Sequence, residues 1–190
     1  MPKVSQEHLD ARRAQILAGA QRCFARHGYT GATVARLEEE IGLSRGAIFN
    51  YFPSKQDLFV ELALGVNRRY TSLIAEQGLD AAVDAIAGED AAWLSVLLEV
   101  QARLRHDPEF VRKLEAAYDA EPVRISDWFE EQQRAGTARS DLEATELARF
   151  ASIVINGFAL RVVADEVTDP DAVRRLLHDA VAPRDEHRPR

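Results

Sequence analysis

The segment Thr33 to Lys55, TVARLEEEIGLSRGAIFNYFPSK, is compatible with very few folds. It predicts two short helices about a tight turn, with a third helix opening directly after them. Thr33 is placed to cap the first, in which Val34, Leu37 and Ile41 recur at helical spacing. Gly42 stops that helix, because a left-handed turn residue is least strained as glycine. Leu43 is sized to plug the angle between the helices. Ser44 caps the next helix, expected to run from Arg45 to Phe52. Pro53 ends it, since the residue before a proline is pushed away from helical angles. A helix-turn-helix has this arrangement: a short rigid turn sets the second helix where it can enter the DNA major groove. Gly46, Ala47 and Asn50 keep the outer surface of that helix low, and Ile48, Phe49 and Phe52 are left to anchor it.

The net charge of −7 argues at first against a nucleic-acid partner. Its distribution points the other way. Residues 1–58 hold eight Lys/Arg against six Asp/Glu, a net of +2, which leaves −9 on the rest. A mildly basic head on an acidic body suits a protein that meets phosphates at one end only. A hydrophobic share of 46% in 190 residues is enough for a real core, in one compact unit or a small domain joined to a larger one. The single cysteine, Cys23, rules out an intramolecular disulfide and a cysteine-only metal site, and its place in an apolar helical stripe predicts a buried thiol. The start MPKVSQEHLD is polar, and no apolar run approaches the ~20 residues of a membrane span, so a cytoplasmic protein without a membrane partner is expected. The histidines (His8, His27, His106, His178, His187) show no metal-ligand spacing. No P-loop, dinucleotide fingerprint or nucleophile elbow occurs, so no metal, cofactor or catalytic residue is expected.

Strand signals are nearly absent and helical periodicity runs throughout, predicting an all-α chain of about nine helices. Residues 1–53 are expected to form a three-helix DNA-binding domain, 54–182 a ligand-binding and dimerisation domain, and 183–190 a disordered tail. The first helix covers about Leu9 to His27, ended by Gly28. A long one starts at Ser54, where Ser54 and Asp57 stand in capping-box spacing, and runs to about Gly78. Helical stretches follow near Ala81–Ala87, Asp90–His106, Glu109–Ala120 (with Asp107 and Pro108 as its start) and Pro122–Ala135, closed by Gly136. The last two cover about Leu142–Asp165 and Asp171–Val181. The first of these is apolar on two sides. Leu147, Phe150, Val154 and Phe158 make one ridge; Ala144, Ala148, Ala151, Ser152, Ile155 and Ala159 make a second, of small residues. A helix hydrophobic all round is buried all round, which here calls for a second subunit. Ala148, Ala151, Ser152, Ile155 and Ala159 are the expected dimer seam.

Arg45 is placed either for base edges and phosphates or for a surface pair with Glu38, and the two roles are compatible. Asn50 and Tyr51 face outward at helical spacing from Ala47, with Asn50 suited to adenine and the Tyr51 hydroxyl to a phosphate. Lys55 sits in the first turn of its helix, against the helix dipole, which points to a phosphate partner. With the caps Thr33 and Ser44, these form the expected DNA-binding set. Glu99 and Arg103 stand four apart, as an intrahelical ion pair or as groups in an effector cavity. Asn156 and Arg161 lie in the apolar helix, where a charge needs a partner or a polar ligand. Trp128 completes the candidate effector set. Even so, Trp93, Trp128, Phe129 and Tyr118 read as core sooner than as ligand cage.

The stretch ILAGAQRCFARHGYTGATVARLEEEIGLSRGAIFNYFPSKQDLF resembles the TetR family of bacterial transcriptional regulators almost position by position. The rest resembles the family in helix order and length. The resemblance implies a homodimer, each subunit with a DNA-binding head and a helical effector-binding body, the last two helices pairing with their copies. Three departures stand out. The family usually has alanine at the place of Glu38, tyrosine at Phe49 and often histidine at Asn50. A carboxylate at position 38 is expected to turn outward and meet a cation, Arg45 first and Arg36 as the alternative. Within the family, LEEEIGLSRGAIF and LEVQARLRHDPEF are most similar to the aconitase-repressor branch of actinobacteria. That likeness implies an anionic effector such as a tricarboxylate, alone or with a divalent metal. The expected function is a repressor that binds a near-palindromic, double-stranded operator as a dimer and is released by a small-molecule effector. The alternatives are a DNA-binding protein controlled by a partner, and a helical enzyme that binds no DNA.

Overall fold

The computed structural model describes residues 6–103, 107–119, 124–166 and 168–184. Among them stand ten helices and no strand: α1 (Gln6–Gly31), α2 (Val34–Ile41), α3 (Arg45–Phe49), α4 (Lys55–Gln77), α5 (Leu79–Ala87), α6 (Ala91–Arg103), α7 (Pro108–Asp119), α8 (Ile125–Arg134), α9 (Ala144–Val163) and α10 (Pro170–Val181). Every stretch with helical periodicity has its helix, and the expected tally of about nine is one short. Of the expected disordered tail, residues 185–190 lie outside the described residues. The backbone divides into two compact units, Met1–Val66 with Asp90–Ala120, and Asn67–Glu89 with Glu121–Arg190.

In the first unit the three-helix head is built round Ile16, Ala20, Cys23 and Phe24 of α1, Leu37 of α2, Ile48 of α3 and Leu58 of α4, all 0% exposed. Burying a side chain of the Ile, Leu or Phe class contributes about 1.5–3 kcal/mol, so this small cluster holds three short helices that would not stand alone. The predicted stop at Gly28 is a kink: its φ of 65 and ψ of 172 break the helix, and Tyr29 turns back into the core to stack on Phe24 at 5.8 Å. The same core continues into α6 and α7 through Trp93, Val96, Phe110 and Leu114. There Phe59 and Phe110 lie 6.2 Å apart. At the start of α4, Ser54 Oγ accepts the Asp57 N–H at 3.1 Å and donates to the Asp57 carboxylate at 2.6 Å, while Lys113 Nζ of α7 donates to the other oxygen at 2.8 Å.

In the second unit α9 packs against α5, α8 and α10. Its buried side is Ala144, Leu147, Ala151, Ile155, Phe158 and Ala159. Three residues of the expected seam lie on that side. Ala151, Ile155 and Ala159, at 0%, 8% and 8% exposure, are covered by the chain's own helices, because small residues let neighbouring helices of the same subunit approach. Ala148 and Ser152 are half-buried, with Ser152 Oγ donating to the Ala148 carbonyl at 2.8 Å. The open apolar face is a different one: Phe150, Ile153 and Leu160, with Leu176 of α10. Arg139, in the turn before α9, clasps the end of α10. Its N–H donates to the Val181 carbonyl at 2.8 Å, its guanidinium to the Ala180 carbonyl at 3.2 Å and to both oxygens of Asp141 at 2.7 Å. Chiefly through that bond, Arg139 holds the Asp141 carboxyl down at about 2.

Candidate nucleic-acid interface

The expected caps and turn are present. Thr33 Oγ1 accepts the Arg36 N–H at 3.4 Å, and Ser44 Oγ accepts the Ala47 N–H at 3.4 Å. Gly42 takes a left-handed φ of 74, where a side chain would be strained, and its N–H closes α2 on the Glu38 carbonyl at 2.9 Å. As regular helix α3 is shorter than predicted, ending at Phe49. Residues 50–52 continue it as turns through N–H bonds to the Gly46 and Ile48 carbonyls. Ile48 and Phe52 anchor the segment at 0% and 3% exposure, while Phe49 is only half-buried. Ser44, Arg45, Gly46 and Asn50 are exposed; Ala47 is intermediate, and Tyr51 packs partly against the core.

The cations of the head fall into two groups. Arg22 and Arg26 grip Glu40 at 2.9 and 3.0 Å across the α1–α2 seam, and Arg13 pairs with Glu61 at 2.8 Å. The Arg22 bond holds the Glu40 carboxyl below its usual range against the effect of burial. In the second group each cation meets a carbonyl or an aromatic ring. Arg36 donates to the Gly31 carbonyl at 2.7 Å, and the Arg45 guanidinium lies 5.9 Å from the centre of the Phe49 ring. Lys55 Nζ donates to the Tyr29 carbonyl at 2.9 Å and sits 4.4 Å over its ring. A carbonyl dipole or a π-face orients a cation without cancelling its charge. Arg36 and Arg45 are therefore aimed and still positive, which is what phosphate recognition needs.

Sequence reasoning missed Arg36 and Tyr29. The signal that flagged Lys55, a cation in the first turn of a helix, applies equally to Arg36 in α2. It also misjudged Glu38, whose carboxylate meets the backbone N–H of Arg45 at 2.6 Å, not the guanidinium.

Of the candidate effector residues, three have described side chains: Trp128, Asn156 and Arg161. The side chains of Glu99 and Arg103 lie outside the described residues, as does that of Tyr118. Asn156 is exposed on α9, and Arg161 is exposed and paired with Glu166, so its charge has a partner within the chain. Trp93 and Phe129 are core, at 3% and 0% exposure. Trp128 lines a cavity of about 210 Å³ in the second unit with Phe129, Gln132, Thr137, Asp80 and His178. His178 Nε2 and Asp80 Oδ1 are 2.8 Å apart there. In the first unit a wider cleft of about 560 Å³ is lined by Gln21, Arg22, Arg26, Asp90 and Trp93. Among the described residues no group of His, Cys, Asp or Glu is arranged to hold a metal ion, and no helix is long and apolar enough to cross a membrane.

Comparison with known proteins bears on both units. Residues 16–62 match the model of the N-terminal domain of the bacterial regulatory proteins of the tetR family, and residues 75–184 match the C-terminal domain of BetI-type transcriptional repressors. The chain belongs to the TetR family. It is a helix-turn-helix transcriptional repressor of that family, with an all-helical body. Similar to it is the HTH-type transcriptional repressor Rv1474c of Mycobacterium tuberculosis, 39% identical over 93% of this chain and 95% of that protein. The HTH-type transcriptional repressor AcnR of Corynebacterium diphtheriae is 39% identical over 93% of each. Among solved structures, Salmonella enterica GusR shares the fold at a TM-score of 0.72, with 22% identity over 95% of this chain and 99% of that one. A transcriptional regulator from Saccharomonospora viridis in complex with choline is 26% identical over 90% of this chain and 95% of that one, at a TM-score of 0.65.

Proposed function

We propose that this repressor binds a near-palindromic operator as a homodimer in the cytoplasm and is released by a small molecule taken up in its helical body. The observation that carries the DNA half is the pair of cations of the head oriented by neutral groups, Arg36 and Arg45, with Lys55 held over the Tyr29 ring in the first turn of α4. Thr33, Ser44, Ala47, Asn50 and Tyr51 complete the contact set, with Asn50 as the adenine reader. The dimer half rests on the open apolar face of α9 and α10. Two heads about 34 Å apart would meet successive major grooves. An effector acts by favouring a subunit geometry with another spacing. The test is binding to a palindromic site across a salt series: affinity should fall steeply with salt, through counterion release. Equal affinity for the site and for random DNA would overturn the operator reading.

For the effector, kinship supports a tricarboxylate, since the chain resembles the aconitase-repressor branch and repressors named AcnR are among its relatives. An anion needs local cations, and Arg103 at the end of α6 is the remaining candidate. A second reading has its own observation. The cavity beside Trp128 has no Arg or Lys in its lining but does have Asp80, and a solved relative holds choline. An aromatic wall with a carboxylate suits a compact cation. Calorimetry of the purified protein separates the two: heat with citrate, with or without magnesium, supports the first, heat with choline the second.

A further inference from the structure

The turn of the helix-turn-helix is clamped by one residue. The Glu38 carbonyl accepts the Gly42 N–H at 2.9 Å and closes α2; its carboxylate accepts the Arg45 N–H at 2.6 Å and opens α3. The helix so opened has five residues, too few to hold itself against the cost of nucleation. Its other side-chain bond at that end, Ser44 Oγ to Ala47 N–H, is long at 3.4 Å. A charge-assisted bond at 2.6 Å is the stronger tie.

One oxygen makes this bond, and a carboxylate has two, each able to accept more than one. The Arg45 guanidinium goes to the Phe49 ring and leaves the second oxygen of Glu38 without a partner among the described residues. The carboxylate stands at the first turn of α3, whose Ser44, Arg45 and Gly46 are exposed. That is the part of a reading helix that meets base edges. A negative charge there is repelled by every phosphate, and this repulsion is offset only where a base offers a donor. In the major groove the donors are the exocyclic amines, and a glutamate pairs with cytosine N4.

We propose that Glu38 is a specificity-determining residue: Oε1 fixes the start of the reading helix, and Oε2 accepts from a cytosine amine in each operator half-site. This role depends on the proposed operator binding. Glu38 thereby lowers affinity for DNA in general and restores it at sites with that cytosine.

The experiment uses the full chain, as wild type, Glu38→Gln and Glu38→Ala, in site selection from randomised duplexes and in titrations against the selected site and random DNA. Glutamine keeps an oxygen for the Arg45 N–H, so Glu38→Gln should melt as wild type does. It should lose preference for cytosine at one position per half-site by about tenfold. Both variants should bind random DNA more tightly, because a charge facing the phosphates has gone. The proposal is overturned if Glu38→Gln selects the same sites with the same discrimination, which leaves an anchor only. It is also overturned if both variants lose affinity for selected and random DNA in parallel. Failure of wild type to select any sequence would instead sink the operator reading itself.

Discussion

Gly19 sets the distance between α1 and α2. A Cβ there would lie 2.7 Å from Ile41 Cγ1 and 2.9 Å from its Cα, so the contact is partly with backbone and cannot be relieved by a rotamer change. Overpacking of this kind costs about 1–3 kcal/mol, more than the roughly 0.5–1 kcal/mol that alanine returns through helix propensity. Gly19→Ala should lower the urea midpoint at unchanged slope. At Lys55 the chemistry is electrostatic. Its ammonium is oriented by the Tyr29 carbonyl and ring, and Lys55→Ala should weaken binding to all sequences while reducing the salt slope by about one. An unchanged slope would remove it from the phosphate contacts. Asn50→Ala should instead relax preference at particular bases, by about 1–3 kcal/mol. Thr33, Gly42, Ser44 and Pro53 are readable in the sequence because each acts within a few bonds of its own backbone. The partners of Glu38 and Lys55 are not, since a helix start offers a carboxylate both a guanidinium and a backbone N–H, and spacing alone does not choose.

At the scale of elements, short helices are tied by ionised groups, and this gives stability a sign with pH. Burial raises the Asp57 carboxyl, but the bonds from Lys113 and Ser54 outweigh it and hold it below the usual range. Glu40 is lowered by Arg22, and Asp141 is brought to about 2 chiefly by Arg139. A carboxyl whose native pKa lies below its unfolded value adds stability that is complete above the unfolded value. That stability is lost as pH falls through the native one. These ties should therefore hold at neutral pH and fail on acidification. For Asp141 the window runs from about pH 4, the unfolded value, to about 2. Lys113 has the opposite sign: the Asp57 bond raises its pKa, so its contribution is present at neutral pH and lost in strong alkali. Melting temperature against pH checks this, and Asp141→Asn should flatten the acid limb in its own window. If that limb is unchanged, the Arg139 clasp on α10 does not depend on the carboxylate.

For the whole molecule the decisive element is α9, and here periodicity reaches its limit. Apolar residues on two sides show that such a helix is covered on both, but not which side its own subunit covers. The alanine-rich stripe has the composition of a seam between subunits. Its Ala144, Ala151 and Ala159 are also on the side of α9 buried within the subunit, where α9 packs on α5, α8 and α10, because small side chains admit helices of the same chain equally well. The larger residues Ile153 and Leu160, at 65% and 52% exposure, remain outside, with Leu176 of α10 at 69%. Two substitutions, at Ile153 and at Ile155, should then separate folding from assembly. Ile153→Arg places a cation on the open face, tolerable in a monomer. At a twofold seam each copy would bring an unpaired charge into apolar surroundings, costing several kcal/mol. Sedimentation should show monomers with unchanged helical content, and operator affinity should fall because one head spans one half-site. Ile155→Arg, at a position 8% exposed, buries the charge inside its own subunit and should unfold the protein. A fully dimeric Ile153→Arg protein would move the interface off this face, and the spacing of the two reading helices would then need another explanation.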